Sequence, residues 1–237
     1  MTEKAVRYLT RDAESHIDML EPLRRGTARV VEADDSRGAL LYMPAANLYL
    51  ASASTPDDGK WLVGKMENAV LAAAHQNYLA DEIAERFGLE KTMCCKQAVW
   101  NNAAPPAVPS SPLALEIRPL TLDRAAEVET LYSHEIGIDY IRGRILAEEM
   151  FGAFSEGELT GFIGLHEEGS MGMLEVVPSY RRRGIGAHLI SHLCGAVIKK
   201  GWTPFSQFTV ENTASEKLHR SMGFQIPEGE VYWLEQR

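Results

Sequence analysis

Residues 102–112 read Asn-Ala-Ala-Pro-Pro-Ala-Val-Pro-Ser-Ser-Pro. Proline fixes φ and removes a backbone donor, so neither a helix nor a central strand can run through this stretch. The chain of 237 residues is therefore expected to fold as two stretches, 1–112 and 113–237, joined by an extended connector. A hydrophobic share of 45% and a charged share of 24% suit an ordinary globular protein. The formal charge of −9 argues against a nucleic-acid partner, because neutralising phosphates needs a dense basic face. No window reaches the roughly 18 uninterrupted apolar residues of a membrane helix, so no membrane partner is expected. Cys94, Cys95 and Cys194 lack framework spacing, and the opening Met-Thr-Glu-Lys-Ala-Val-Arg-Tyr lacks the apolar core of a signal peptide. A reducing, cytoplasmic setting is the expectation.

Hydrophobic periodicity gives the first stretch a helix over 10–25, strands over 27–32 and 39–42 with a continuation over 47–53, a helical run over 61–86, and a strand over 93–100. It contains no glycine-rich phosphate turn and no nucleophile constellation, so a scaffold or substrate-covering role is expected. The second stretch reads as strand 115–120, a helix over 124–132 capped by Asp123, a short helix over 139–149, and an antiparallel meander of 151–155, 159–166 and 171–177. Helix 184–200, strand 204–210, helix 213–222 and strand 231–234 follow. The class is α+β rather than a repeated βαβ series. No internal repeat stands out in sequence, although the shared strand–helix grammar leaves open a degenerate copy of one fold in the first stretch.

Chemistry concentrates at residues 181–187, Arg-Arg-Arg-Gly-Ile-Gly-Ala, between a strand and a helix. Glycine lets a backbone approach a phosphate without a Cβ in the way, and a helix start supplies free N–H donors and positive dipole charge. The three arginines add a positive field sized for a diphosphate. The spacing is neither the dinucleotide Gly-x-Gly-x-x-Gly nor a P-loop, which disfavours NAD and ATP. A second pattern follows: Asn212-x-x-Ser215-x-x-Leu218-His219-x-x-x-Gly223-Phe224, a capped helix closed by a left-handed glycine. Each pattern alone also suits an ordinary turn or amphipathic helix.

Together they resemble the GNAT superfamily of acyl-CoA-dependent N-acyltransferases over residues 114–237. The resemblance rests on Leu174-x-Val176-x-Pro178-x-x-Arg181-x-x-Gly184-x-Gly186-Ala187, then Asn212-x-x-Ser215-x-x-Leu218, then Gly223-Phe224. The run Gly201-Trp-Thr-Pro-Phe205 and the terminal Tyr232-Trp233 look closer to the glycine N-acyltransferase-like branch. It implies a mixed central sheet flanked by helices, with the CoA pyrophosphate on the backbone amides of Arg182, Arg183, Gly184, Ile185, Gly186 and Ala187. It also implies pantetheine pairing with Val176 and Val177, and Asn212 touching that arm from the other side. The cofactor implied is acetyl-CoA as acyl donor.

The sequence departs from the family pattern at two catalytic positions. Where the family carries a tyrosine acid after the helix leucine, this chain has His219, which can donate a proton near neutral pH. Tyr232 and Tyr180 are the substitutes. Where relatives place a base on the central strand stands Ser170, which cannot deprotonate an ammonium. Glu168, two residues earlier on the same strand parity, is the candidate base, and Glu175, of opposite parity, is expected on the other face. His188 and His192 have a metal-compatible i, i+4 spacing, but the cofactor reading already accounts for their helix, and no metal is expected. The implied function is transfer of an acetyl group to a primary amine of a small molecule or amino acid. The alternatives are an inactive acyl-CoA-binding module and a protein or peptide N-acetyltransferase. The expected state is a monomer or homodimer.

Overall fold

The computed structural model describes residues 1–134 and 136–236. Its spine is one eleven-stranded sheet. The first stretch supplies helices α1 (Thr2–Leu9) and α2 (Ile17–Arg25), strands β1 (Arg29–Asp34), β2 (Gly38–Met43) and β3 (Leu48–Ala53), α3 (Pro56–Val63), β4 (Leu71–Ala74), α4 (Asn77–Phe87) and β5 (Glu90–Val99). The second supplies β6 (Glu116–Pro119), α5 (Ala125–Leu131), α6 (Ile138–Leu146), β7 (Met150–Ser155), β8 (Glu158–Leu165), β9 (Met171–Val176), α7 (Ile185–Lys199), β10 (Phe205–Thr209), α8 (Thr213–Met222) and β11 (Glu230–Glu235). The mixed α+β class and the helix-flanked central sheet agree with expectation.

Both stretches run helix, helix, three strands, helix, strand, helix, strand, with β6 as an extra opening strand in the second. The last strand of each crosses into the other's territory. The sheet order is β1-β2-β3-β4-β11-β5-β10-β9-β8-β7-β6, so β11 sits between β4 and β5, and β5 sits between β11 and β10. Tyr232 opposes Ala74 on one side and Cys94 on the other. Val231 packs into the core under α1 and α2, while Leu234, fully buried, packs into the core under α3 and α4. Burying such a leucine stabilises by about 1.5–3 kcal/mol, so the final strand ties the two halves together.

Side-chain alternation assigns the helices to two faces. On β5, Gln97 donates to the Ser15 carbonyl and to Asp18 of α2, whereas Ala98 joins the core beneath α7. One face therefore carries α1, α2, α5 and α6, and the other carries α3, α4, α7 and α8. The connector lies along α7 rather than hanging free: Ser191 Oγ donates to the Pro106 carbonyl (2.7 Å), and Ser111 Oγ donates to the Arg183 carbonyl (3.0 Å).

Three expectations fail for physical reasons. The helical run over 61–86 is interrupted by β4, whose Leu-Ala-Ala-Ala sequence favours helix but is buried between β3 and β11. The helix over 10–25 breaks into α2 and a short 3-10 turn over Thr10–Asp12, with α1 preceding them. Residues 47–53 form a separate strand, turned back on β2 through Asn47 in a left-handed conformation.

Candidate active site

β9 and β10 run parallel but share only the pair Met171 and Ser206, whereas the corresponding β3 and β4 pair over four positions. Beyond that point β9 and β10 part, which leaves a slot with unpaired backbone edges inside the sheet. A cavity of about 1440 Å³ runs through it, touching Gly186 and Asn212 on the α7–α8 face and Glu168 and Tyr140 on the other.

At one end of the slot the chain rises from Pro178 through a 3-10 turn into α7. Arg182 (φ 61°) and Gly184 (φ 81°) have left-handed φ values on either side of Arg183, which does not. Such alternation turns successive N–H groups to one side as a concave anion cradle. The first intrahelical bond is His188 N–H to the Gly184 carbonyl (3.1 Å), so the N–H groups of Ile185, Gly186 and Ala187 are free of helix acceptors. A Cβ on Gly186 would lie 3.2 Å from Leu218 and would narrow the gap between α7 and α8. Arg181 is engaged elsewhere: it pairs with Glu175 (3.1 Å) and donates to the Val176 carbonyl (3.1 Å). The turn and its glycines thus fit a diphosphate.

Arg182, Gly184, Ile185, Gly186, Ala187, Val176 and Asn212 all face the cavity. Val177 and Arg183 are not among the residues lining the cavity. The Val177 N–H turns away from the slot onto the Thr160 carbonyl (3.0 Å), because adjacent strand residues point their backbone groups to opposite sides. The Arg183 guanidinium lies over the Tyr180 ring, 5.5 Å from its centroid. Asn212 caps α8 through Oδ1, accepting from the Ser215 N–H (3.0 Å).

His219 is buried, with its ring stacked on Phe208. Nδ1 lies 2.9 Å from the Ser215 carbonyl, which can only accept, so Nδ1 carries the proton. Nε2, 3.0 Å from Ser206 Oγ, is then the acceptor. Burial pushes His219 below the ordinary imidazole range and keeps it neutral. His219 lines the cavity, and in this tautomer its one proton rests on the Ser215 carbonyl while Nε2 accepts from Ser206 Oγ, which also lines the cavity. The substitutes, Tyr232 and Tyr180, lie off the cavity lining. The Tyr232 hydroxyl is bound to Glu230 (2.7 Å), and Tyr180 sits against Arg183.

Glu168 lies in the turn between β8 and β9, buried at the cavity wall, and accepts a short hydrogen bond from Ser170 Oγ. Arg25 of α2 lies against Gly169, where a Cβ would overlap the guanidinium. Glu175 also faces the α5–α6 side, contrary to expectation. Phe162 opposes Glu175 but Gly164 opposes Gly172, so β9 carries one extra residue, and Met173 there has φ 49°. This bulge re-phases the strand. Met173 packs under α5 and α6, Leu174 and Val176 pack toward α7, and Glu175 faces Tyr132. Sequence reading missed the cluster of Tyr132, Tyr140 and His166 on this wall, whose only sequence mark is Gly172, over which the His166 ring lies. Among the described residues, no group of three or more His, Cys, Asp or Glu is disposed to hold a metal, and no helix is long and apolar enough to cross a membrane.

Residues 150–234 match the family model described as FR47-like protein. No curated protein matches the sequence. A Drosophila protein of solved structure is similar over 99% of this chain and 95% of its own, with TM-score 0.70 and 16% identity. A GCN5-related N-acetyltransferase from Kribbella flavida is similar over 93% of this chain and 94% of its own (TM-score 0.60, 14% identity). Another from Sphaerobacter thermophilus is similar over 98% and 92% (TM-score 0.55, 14% identity). The chain thus has the fold of the GCN5-related N-acetyltransferases.

Proposed function

We propose that the protein transfers an acyl group, acetyl in the first instance, from CoA to the primary amine of a small molecule or amino acid. The observation that carries this reading is the parting of β9 and β10 beyond Met171 and Ser206, directly before the Arg182–Gly184 cradle. The diphosphate would rest on the N–H groups of Arg182 to Ala187, and the pantetheine would lie along Val176 with Asn212 opposite. The 113–237 stretch then acts as the CoA-binding catalytic unit, and the first stretch walls the acceptor.

The cavity of about 1440 Å³ exceeds the roughly 300–1000 Å³ of a single small-ligand site, which supports two ligands meeting inside it. On the acceptor side the first stretch contributes Leu48, Met93 and Cys95, and β11 contributes Trp233. The charged groups there are Glu167, Glu168, Glu175 and Glu235; among the described residues the lining arginines are Arg181 and Arg182, at the cradle end. An apolar floor with carboxylates at the wall favours an ammonium on an apolar body. The chemistry is direct: the deprotonated amine attacks the thioester carbonyl, held in reach by the slot, and the thiolate departs. Calorimetry with CoA, followed by thiol release from acetyl-CoA over an amine panel, tests the proposal. Absence of CoA binding refutes it; turnover confined to peptides reassigns the acceptor.

A further inference from the structure

We propose that His166 is the base that takes the proton from the acceptor ammonium, with Tyr140 as the residue that orients it; this rests on the acyl-transfer reading above. His166 follows β8 directly, and its N–H closes the turn onto the Ser170 carbonyl (2.9 Å). Its side chain lies on the cavity wall, on the acceptor face. The imidazole crosses the backbone of β9 at Gly172, where a Cβ would stand 2.6 Å from both Cδ2 and Nε2. Only glycine leaves room for the ring there, so Nε2 is held over the strand that flanks the slot. Tyr140 of α6 fixes the other end, its hydroxyl 2.9 Å from Nδ1. With the proton on Nδ1 donated to the Tyr140 oxygen, the Nε2 lone pair is open.

The surroundings suit a neutral base. Burial holds His166 below the ordinary imidazole range, while Glu168 and Glu167 pull upward and Arg144 of α6 pushes downward. The other charge near the turn is Arg25 of α2, behind Gly169. Glu168 is already committed to the Ser170 hydroxyl, which leaves it to stabilise the imidazolium once formed.

In the step itself, Nε2 accepts a proton from R–NH3+, and the freed lone pair forms the C–N bond at the thioester carbonyl. The C–S bond then breaks with its electron pair on sulfur, and the thiolate takes a proton from the now cationic nitrogen. The imidazolium passes its proton to water. The sum is R–NH3+ plus acyl-CoA giving amide, CoA thiol and H+.

The test measures kcat/KM over pH 6–10 for wild type, His166→Gln and Gly172→Ala, with CoA affinity by calorimetry and folding by circular dichroism. His166→Gln is expected to lose about 100-fold at pH 7, with the deficit closing above about pH 9 as the acceptor deprotonates unaided, and with CoA affinity unchanged. Gly172→Ala keeps the imidazole but displaces it, and is expected to reproduce the same pH-dependent loss. Tyr140→Phe is expected to shift the acidic limb while retaining most of the rate. A wild-type pH profile in folded His166→Gln overturns the assignment to His166 and leaves acyl transfer standing. Wild-type protein that binds CoA but releases no thiol with any amine overturns both.

Discussion

Leu234 belongs to the last strand of the chain but is fully buried in the core formed by the first stretch, beside Ala72, Ala74 and Leu79. Replacing it with alanine removes a buried isobutyl group from that core, and neighbours that are already alanines cannot extend to fill the gap. Leucine-to-alanine changes at such sites cost about 2–5 kcal/mol, and limited collapse argues for the middle of that range, about 3 kcal/mol. For a chain of this size each kcal/mol moves the melting temperature by about 2–4 °C, so a drop of about 6–12 °C is expected. Because β11 is hydrogen-bonded between β4 and β5, and β5 between β11 and β10, the loss should propagate through the whole sheet. Scanning calorimetry should show one transition, displaced as a unit. Two transitions, with only one displaced by Leu234→Ala, would refute the argument that strand exchange couples the halves.

Gly186→Trp fills the gap between α7 and α8, where even a Cβ lies 3.2 Å from Leu218, and is expected to reduce CoA affinity more than tenfold by calorimetry. Unchanged affinity in the folded variant removes the cradle assignment. Asn212→Ala forfeits the α8 cap for about 1 kcal/mol, whereas Asn212→Ser keeps a capping oxygen; if both weaken CoA equally, the amide contacts the ligand as well as the helix. His16 is pushed down to about 4, first by burial and then by His75, against the pull of Asp18. The unfolded state then binds more protons than the folded one between about pH 6.5 and 4, so stability is intact above that window and falls through it by up to about 3 kcal/mol. Urea midpoints measured from pH 7 to 4 should show this slope, and His16→Gln should flatten it.

The second stretch was more legible than the first because its elements carry strong local signals. Helix α7 is apolar-periodic with a glycine turn before it, α8 has an asparagine cap and a glycine terminator, and β7 to β9 are joined by tight turns. The cavity residues at the cradle follow from those signals. What could not be read depends on tertiary context. β4 is alanine-rich and becomes a strand only because β3 and β11 flank it. The bulge at Met173 adds one residue with no compositional mark, yet it changes which face Glu175 occupies. His219 fits the motif by position, but its carbonyl partner settles its proton. His166 depends on a glycine across the hairpin, a relation no linear spacing announces.

The two halves share a plan, yet only one of them is opened. At the place where the second half has its left-handed arginine turn, the first has Thr55 capping α3 ahead of Pro56, Asp57 and Asp58, an acidic start that repels a phosphate. Its β3 and β4 are zipped over four pairs. Yet this closed half supplies β5, which pairs with the whole length of β10, whereas β9 meets β10 at one pair. On the acyl-transfer reading, drift in its own turn costs no contact to CoA, whereas drift in β5 would let the slot's far wall sag. On that reading a mutational tolerance map of activity should be lopsided, more permissive at residues 54–58 than along β5, with the first half constrained most where it braces the slot.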